Sequence, residues 1–233
     1  MKLKTGKQFC TMKKIAVIVA GGTGTRMNNS IPKQFLLLNG KPVLFYTINT
    51  FLKSFDDLQV VLVLPEDYIS AGQEIIDAFF NYDRVQITTG GPTRFHSVQK
   101  GLELVTEESI LFVHDAVRCL LSVDLVRHCY DAALENGSAI PAIESKDSVR
   151  LVTGNGNESL ERSAVKMIQT PQTFHSKILL PAYQIEYKDR FTDEATVVEA
   201  YGLKVNLVEG EENNFKITRP VDLLLAEQLL TDN

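Results

Sequence analysis

Cysteine is scarce in this chain, and what little there is excludes two classes of fold. Cys10, Cys119 and Cys129 are odd in number and form no C-x-x-C pair, so neither a disulfide framework nor a structural zinc site is indicated, and a reducing cytoplasm fits. His96, His114, His128 and His175 lack metal-ligand spacing, which disfavours zinc chemistry. No stretch approaches the roughly 18 apolar residues needed to span a bilayer, so a soluble protein is expected. Nor is there an excess of positive charge. The formal net charge is -5, which argues against a general nucleic-acid or acidic-membrane binder and leaves any basic cluster to be explained locally. Internal repeats and low-complexity tracts are missing too. Residues 1–11 are polar and basic without an apolar signal core; they read as a disordered extension ahead of one domain over residues 12–233.

What is present is an ordinary globular composition, 44% hydrophobic and 23% charged in 233 residues, enough to bury the core of one domain. Short apolar runs rich in β-branched residues recur at 14–19, 59–64, 85–88 and 110–113, the pattern of strands buried on both faces of a parallel sheet. Helical spacing lies between them, over Pro42 to Leu52, Asp67 to Phe80 and Arg94 to Leu104. A further helix is expected over Ser122 to Leu134 and a strand over Ala139 to Ile143. Strand and helix in alternation imply a Rossmann-like α/β domain with a mostly parallel sheet and helices on both faces. Ligands in such sheets sit at the carboxyl ends of the strands.

The rhythm breaks after Ile143. Ser148 to Val152 is strand-like, Thr153 to Asn157 is dense in turn formers, and Glu161 to Ile168 returns to a strand pattern. This predicts a protruding β-hairpin arm over about 145–167. A lone hairpin is marginally stable in water and needs something to pack on, so the arm is expected to clasp a second subunit. Helices follow over Ser176 to Tyr183 and from Thr192-Asp193-Glu194, with a hydroxyl at the N-cap and acids in the first turn, to Gly202. A last strand, Lys204 to Val208, precedes a terminal helix with Pro220 near its first turn.

The first strand runs into Ala20-Gly21-Gly22-Thr23-Gly24-Thr25-Arg26-Met27, closed by Pro32-Lys33-Gln34. Closely spaced glycines can turn several N–H groups inward as an anion nest. Two better-known phosphate loops do not fit: no Gly-Lys-Ser/Thr closes this one, and Met27 stands where the dinucleotide fingerprint needs its third glycine. Two cations flank the nest instead, Arg26 and Lys33, an arrangement suited to a triphosphate under attack. Gly90-Gly91-Pro92-Thr93-Arg94 and His114-Asp115-Ala116-Val117-Arg118 also fall at strand ends. Asp115 is the best-placed carboxylate to hold or orient a divalent ion.

The Ala-Gly-Gly-x-Gly-x-Arg-Met loop followed by Pro-Lys-Gln resembles the signature of nucleotidyltransferases that activate sugar or polyol phosphates. Within them the chain is most similar to the cytidylyltransferases acting on 2-C-methyl-D-erythritol 4-phosphate, a step in non-mevalonate isoprenoid precursor synthesis, and next to those acting on ribitol 5-phosphate. The resemblance implies CTP as donor, Mg²⁺ (or another divalent cation) as cofactor, pyrophosphate as product, and a homodimer joined through the arm. It implies catalytic roles for Arg26, Lys33 and, in Phe-Lys-Ile-Thr-Arg-Pro, Lys216. Nucleotide contacts are implied for Ala20, Gly21, Gly22, Thr23, Gly24, Thr25, Gly91, Arg94 and Ser97, and polyol-phosphate contacts for Arg118, Ser148, Arg162 and Thr170, besides Lys216. Pro92 stands where the family usually has an acidic residue. A catalytically silent nucleotide-binding protein is the rival of a different class; Arg26, Lys33, Asp115 and Lys216 together argue against it.

Overall fold

A computed structural model of the chain describes residues 12–21, 31–80 and 82–231. The expected extension, residues 1–11, and the loop residues Gly22, Thr23, Gly24, Thr25 and Arg26 lie outside that set.

The four buried runs form β1 (Lys13–Val19), β4 (Leu58–Leu64), β5 (Val85–Thr89) and β6 (Ser109–Asp115), with a small ladder of β2 (Leu37–Leu38) and β3 (Lys41–Pro42) after the first loop. Between them lie α1 (Val43–Ser54), α2 (Ile69–Phe79) and α3 (Arg94–Leu102). Strands β5, β4, β1 and β6 pair in that order, all parallel. Opposite faces of β1 feed opposite cores, as a period of two requires. Ala16 and Ile18 pack with Leu44, Ile48 and Phe51 of α1 on one face, while Ile15, Val17 and Val19 pack with Phe95 and Val98 of α3 on the other. Each Val, Leu, Ile or Phe side chain among them contributes about 1.5–3 kcal/mol when withdrawn from water. Helix α3 lies so close to the sheet that a Cβ on Gly101 would stand 2.5 Å from Val17 Cγ1.

Beyond β6 come α4 (Val123–Asn136), capped by Ser122 at its start and by Gly137 at φ 81° at its end, and β7 (Ser138–Glu144). The arm is the hairpin of β8 (Arg150–Thr153) and β9 (Gly156–Ser159), paired only to each other. The expected return strand from Glu161 to Ile168 is divided: Arg162–Ala164 forms a 3-10 turn, and only β10 (Lys166–Ile168) is a strand, paired with β7 and not with the arm. The physical reason is competition, since β7 offers a long buried edge and β8 a short solvated one.

The sheet contains one strand that the sequence pattern does not show. β11 (Gln172–His175) runs antiparallel between β6 and β7. Across the cis Thr170–Pro171 bond the register on β7 shifts by two residues between β10 and β11, opposite Pro141, which has no N–H to offer a partner. Two helices, α5 (Ser176–Ala182) and α6 (Glu194–Ala200), then cover the α3 face. The cap of α6 is the Asp193 carboxylate, not the Thr192 hydroxyl: Asp193 accepts from Thr196 N–H while Thr196 Oγ1 accepts from Asp193 N–H. The last strand is shorter than expected, β12 (Leu207–Glu209), pairing with β7 on its free side, and α7 (Pro220–Thr231) ends the described chain.

Candidate active site

Register brings the functional loops to one level. Val19 is opposite both Val63 and Asp115, and Leu64 is opposite Thr89, so the segments after β1, β5 and β6 leave the same carboxyl edge. They enclose a cleft of about 280 Å³ lined by Ala20, Gly21, Lys33, Gly91, Arg94, Ser97, Asp115 and Lys216, among others. The remaining predicted loop residues, 22 to 26, are outside the described set.

Each wall has a local cause. Gln34 donates to the Ala20 carbonyl at 2.6 Å and Ala20 N–H donates to Val63, which fixes where the first loop leaves the sheet. Ser97, on the first turn of α3, accepts from Gly91 N–H at 3.1 Å and donates to its carbonyl. Gly91 must lack a side chain, because a Cβ there would lie 2.4 Å from His96 Cβ and 3.0 Å from the His96 carbonyl carbon. Pro92, exposed on the cleft wall, presents no N–H. Lys33 follows Pro32 in a 3-10 turn and is buried, its Nζ donating to the Ile217 carbonyl at 3.2 Å; Ile217 N–H in turn donates to Val117. Two lysines distant in sequence are thereby stitched to one strand end.

Asp115 is the electrostatic centre. Its Oδ1 accepts from Arg94 Nε at 3.1 Å, its Oδ2 from Lys216 Nζ at 2.8 Å, and Arg118 Nε stands 4.0 Å from Oδ2. Burial alone would raise this carboxyl, but Arg94, Lys216 and Arg118 outweigh burial and hold it well below the usual carboxylate range. Arg94 spends its other two guanidinium nitrogens on Glu194, which is 0% exposed. Burial acts to lower the pKa of Arg94, and Glu194 and Asp115 overcome it, so the guanidinium stays charged.

Behind Asp115, His114 is fully buried, and burial pushes its pKa down to about 3, leaving the ring neutral. A neutral imidazole has one N–H. Nε2 faces the Arg118 carbonyl, which can only accept, so the proton is there, and Thr170 donates its hydroxyl to Nδ1 at 2.9 Å. The Thr170 oxygen also accepts from Asp115 N–H at 3.2 Å. Thr170 is therefore buried and braces Asp115 from β11's side. Arg118 is likewise largely buried, with Nη1 on the Asn214 carbonyl at 2.8 Å. Neither Arg118 nor Thr170 lines the cleft; both stand directly behind it.

A mostly parallel sheet with a glycine-walled cleft at its carboxyl edge, centred on a carboxylate held between cations, agrees with the resemblance to nucleotidyltransferases carried by the first loop. The family profile of 2-C-methyl-D-erythritol 4-phosphate cytidylyltransferase matches residues 14–232. The chain belongs to this family. A member from Phocaeicola vulgatus is 43% identical over 219 residues, 94% of this chain and 100% of that one. One from Bacteroides thetaiotaomicron is 41% identical over the same span of both. Among solved structures, the 4-diphosphocytidyl-2C-methyl-D-erythritol synthase of Anaerococcus prevotii superposes with a TM-score of 0.81 at 29% identity, covering 94% of this chain and 96% of that one. The cytidylyltransferase of Thermus thermophilus does so at 0.72 and 31%, covering 94% and 100%.

Ser148 and Arg162, expected at the polyol phosphate, stand away from the cleft. Both are exposed near the base of the arm, where Arg162 Nη1 reaches the Lys146 carbonyl at 3.4 Å. Arg162 lines a different, larger cavity of about 720 Å³ between β7, β10 and β12. Conversely, the sequence pattern gave no hint that Glu194 and Tyr183 belong to the site's surroundings. Glu194 has the sequence signature of a helix-dipole acid, and Tyr183 that of a helix end. Among the described residues no cluster of three metal-ligating side chains occurs, and no helix is long and apolar enough to cross a membrane.

Proposed function

We propose that this protein transfers the cytidylyl group of CTP to 2-C-methyl-D-erythritol 4-phosphate, releasing pyrophosphate, as a cytoplasmic enzyme of non-mevalonate isoprenoid precursor synthesis. The observation that carries the reading is the convergence of Lys33, Lys216 and Asp115 on one glycine-walled cleft in a chain of this family. An acceptor phosphate oxygen attacks the α-phosphorus of CTP; the bond from that phosphorus to the bridging β-phosphate oxygen breaks, and pyrophosphate leaves with the electron pair. The nucleophile is already an anion, so no side chain must deprotonate it. What the transition state needs is positive charge fixed in advance where the phosphoryl oxygens gain negative charge. Lys33, seated by the Ile217 carbonyl, and Lys216, tethered to Asp115, supply it, with Arg26 as a third cation from the first loop.

Mg²⁺ fits this site in a limited way. Asp115 is the carboxylate at the cleft wall, but both of its oxygens already accept from Arg94 and Lys216, so it would orient the ion through water while phosphates supply the inner ligands, as suits an ion that keeps several waters. Such an ion, when bound, neutralises phosphate oxygens as a Lewis acid.

The polyol phosphate is assigned to Lys216 at the cleft and to Ser148 and Arg162 acting across a dimer, with Arg118 and Thr170 supporting Asp115 from behind the cleft wall. The arm supports this: all eight residues of β8 and β9 are exposed, Val152 to 78%, so it lacks a covering partner within the described chain. Arg162→Ala should then raise KM for the polyol phosphate while leaving CTP affinity nearly unchanged. A mixed dimer with Lys33→Ala subunits should regain one whole site. Exchanged subunits that stay inactive would place Arg162 outside the partner's site.

Acceptor-dependent pyrophosphate release tests the function itself, run side by side with ribitol 5-phosphate. Faster release with ribitol 5-phosphate would reassign the acceptor, and release with neither would remove the activity. CTP should exceed UTP by more than about tenfold in kcat/KM, the discrimination worth about 1.4 kcal/mol, although Pro92 replaces an acidic residue in the wall. Comparable rates with UTP would overturn the cytidylyl assignment alone.

A further inference from the structure

Glu194 lies 100 residues from Arg94, outside the cleft lining, and on a helix that otherwise only covers the sheet. Yet its two oxygens meet the two terminal nitrogens of the Arg94 guanidinium, Oε2 to Nη2 at 3.1 Å. A bidentate carboxylate fixes the plane of a guanidinium as well as its place. With that plane fixed, Nε has one direction left, and it points at Asp115 Oδ1. Asp115 is thereby turned so that Oδ2 meets Lys216. Glu194 is itself held: Tyr183, stacked on Phe95 at 4.7 Å and buried, donates its hydroxyl to Oε1 at 3.1 Å. Gln172 of β11 accepts from Ala195 N–H and donates to Asp193, tying the start of α6 to the strand beside β6. Tyr183 and Phe95 belong to the core, but the Glu194 charge is not needed to cover it, since a buried apolar residue would do that without a charge to compensate.

From this we infer that Glu194 is a positioning residue for nucleotidyl transfer: through Arg94 it sets the orientation of Asp115 and so the place of Lys216. The inference rests on the proposed activity and deepens it.

The test is a double-mutant cycle of Glu194→Gln and Arg94→Gln with kcat and both KM values as readouts. Glu194→Gln keeps the size but puts an amide N–H₂ against the guanidinium. It should lower kcat about 10- to 100-fold, the scale for small misplacements of reacting groups, with KM for the polyol phosphate within about threefold. A residue acting through Arg94 adds nothing once Arg94 is gone, so the double variant should match Arg94→Gln in kcat. A double variant lower by the product of the two single losses would overturn the inference. If Glu194→Gln does not fold, Glu194→Asp, which keeps the charge and shortens the reach, takes its place in the cycle; if Arg94→Gln does not fold, Arg94→Lys, which keeps the charge but lacks the planar fork, takes its place, with the same two outcomes. Wild-type protein inactive with every acceptor would sink the proposed activity instead. Crystal structures then decide the positioning claim: Arg94 Nε still on Asp115 in Glu194→Gln overturns it, and its departure upholds it.

Discussion

Lys33→Ala and Lys216→Ala should each lower kcat by roughly 10²–10³-fold, the scale for removing one preorganised donor to a developing oxyanion. The two should differ in stability. The Lys216 side chain is 42% exposed, so its loss leaves the fold intact and only frees Asp115 Oδ2. Lys33 is 8% exposed, more enclosed than a lysine at a solvent-filled cleft is expected to be. Its truncation removes buried methylenes and a donor to the Ile217 carbonyl, so Lys33→Ala should also melt at lower temperature, by an amount on the order of 1–3 kcal/mol for the unmet carbonyl. Steady-state pyrophosphate release and thermal melts on the same preparations separate the two effects. Near wild-type turnover in either variant would remove that lysine from the mechanism.

Asp115→Asn should be the most destabilising isosteric change in the site. It removes the charge that Arg94, Lys216 and Arg118 share among the described residues, and breaking one side of a buried ionic cluster costs about 3–5 kcal/mol. The pH dependence has a definite sign. The folded Asp115 carboxyl lies below its unfolded value of about 3.9, so its contribution is complete above that value and is lost as the pH falls through the folded pKa. The gap between wild type and Asp115→Asn, measured by denaturant melts, should stay constant from neutrality to about pH 5 and narrow only below about pH 4. A gap that closes already between pH 7 and pH 5 would contradict the cation-stabilised carboxylate. Turnover should fall as well, because Lys216 loses its tether.

His114 shows how position and role separate. As a residue at a strand end it could be taken for a proton carrier, but it is buried, neutral and hydrogen-bonded on both nitrogens. Its work is to hold Thr170 and the Arg118 carbonyl beside Asp115.

The parallel strands, most of the helices and the three loops at one sheet edge were legible in the amino-acid sequence, because each is written in a signal spanning about ten residues. β-branched runs such as Ile15 to Val19, helical spacing such as Leu44, Ile48 and Phe51, and glycines at strand ends such as Gly90-Gly91 are of this kind. The family followed from the same local words. The tertiary structure alone decided what depends on strand order. β11 is four residues, Gln-Thr-Phe-His, too short and too polar to show a period, and it is a strand because β6 and β7 leave a ladder open between them. The cap of α6 passed from Thr192 to Asp193 because the Asp193 carboxylate meets the Thr196 N–H. Two of the site's ion pairs, Arg94 with Glu194 and Lys216 with Asp115, join residues 100 and 101 apart, and the Lys33 contact joins residues 184 apart. Sequence spacing carries no information at that range: side chains meet there because the packed sheet sets their distance, and burial among opposite charges then fixes which of them stay ionised.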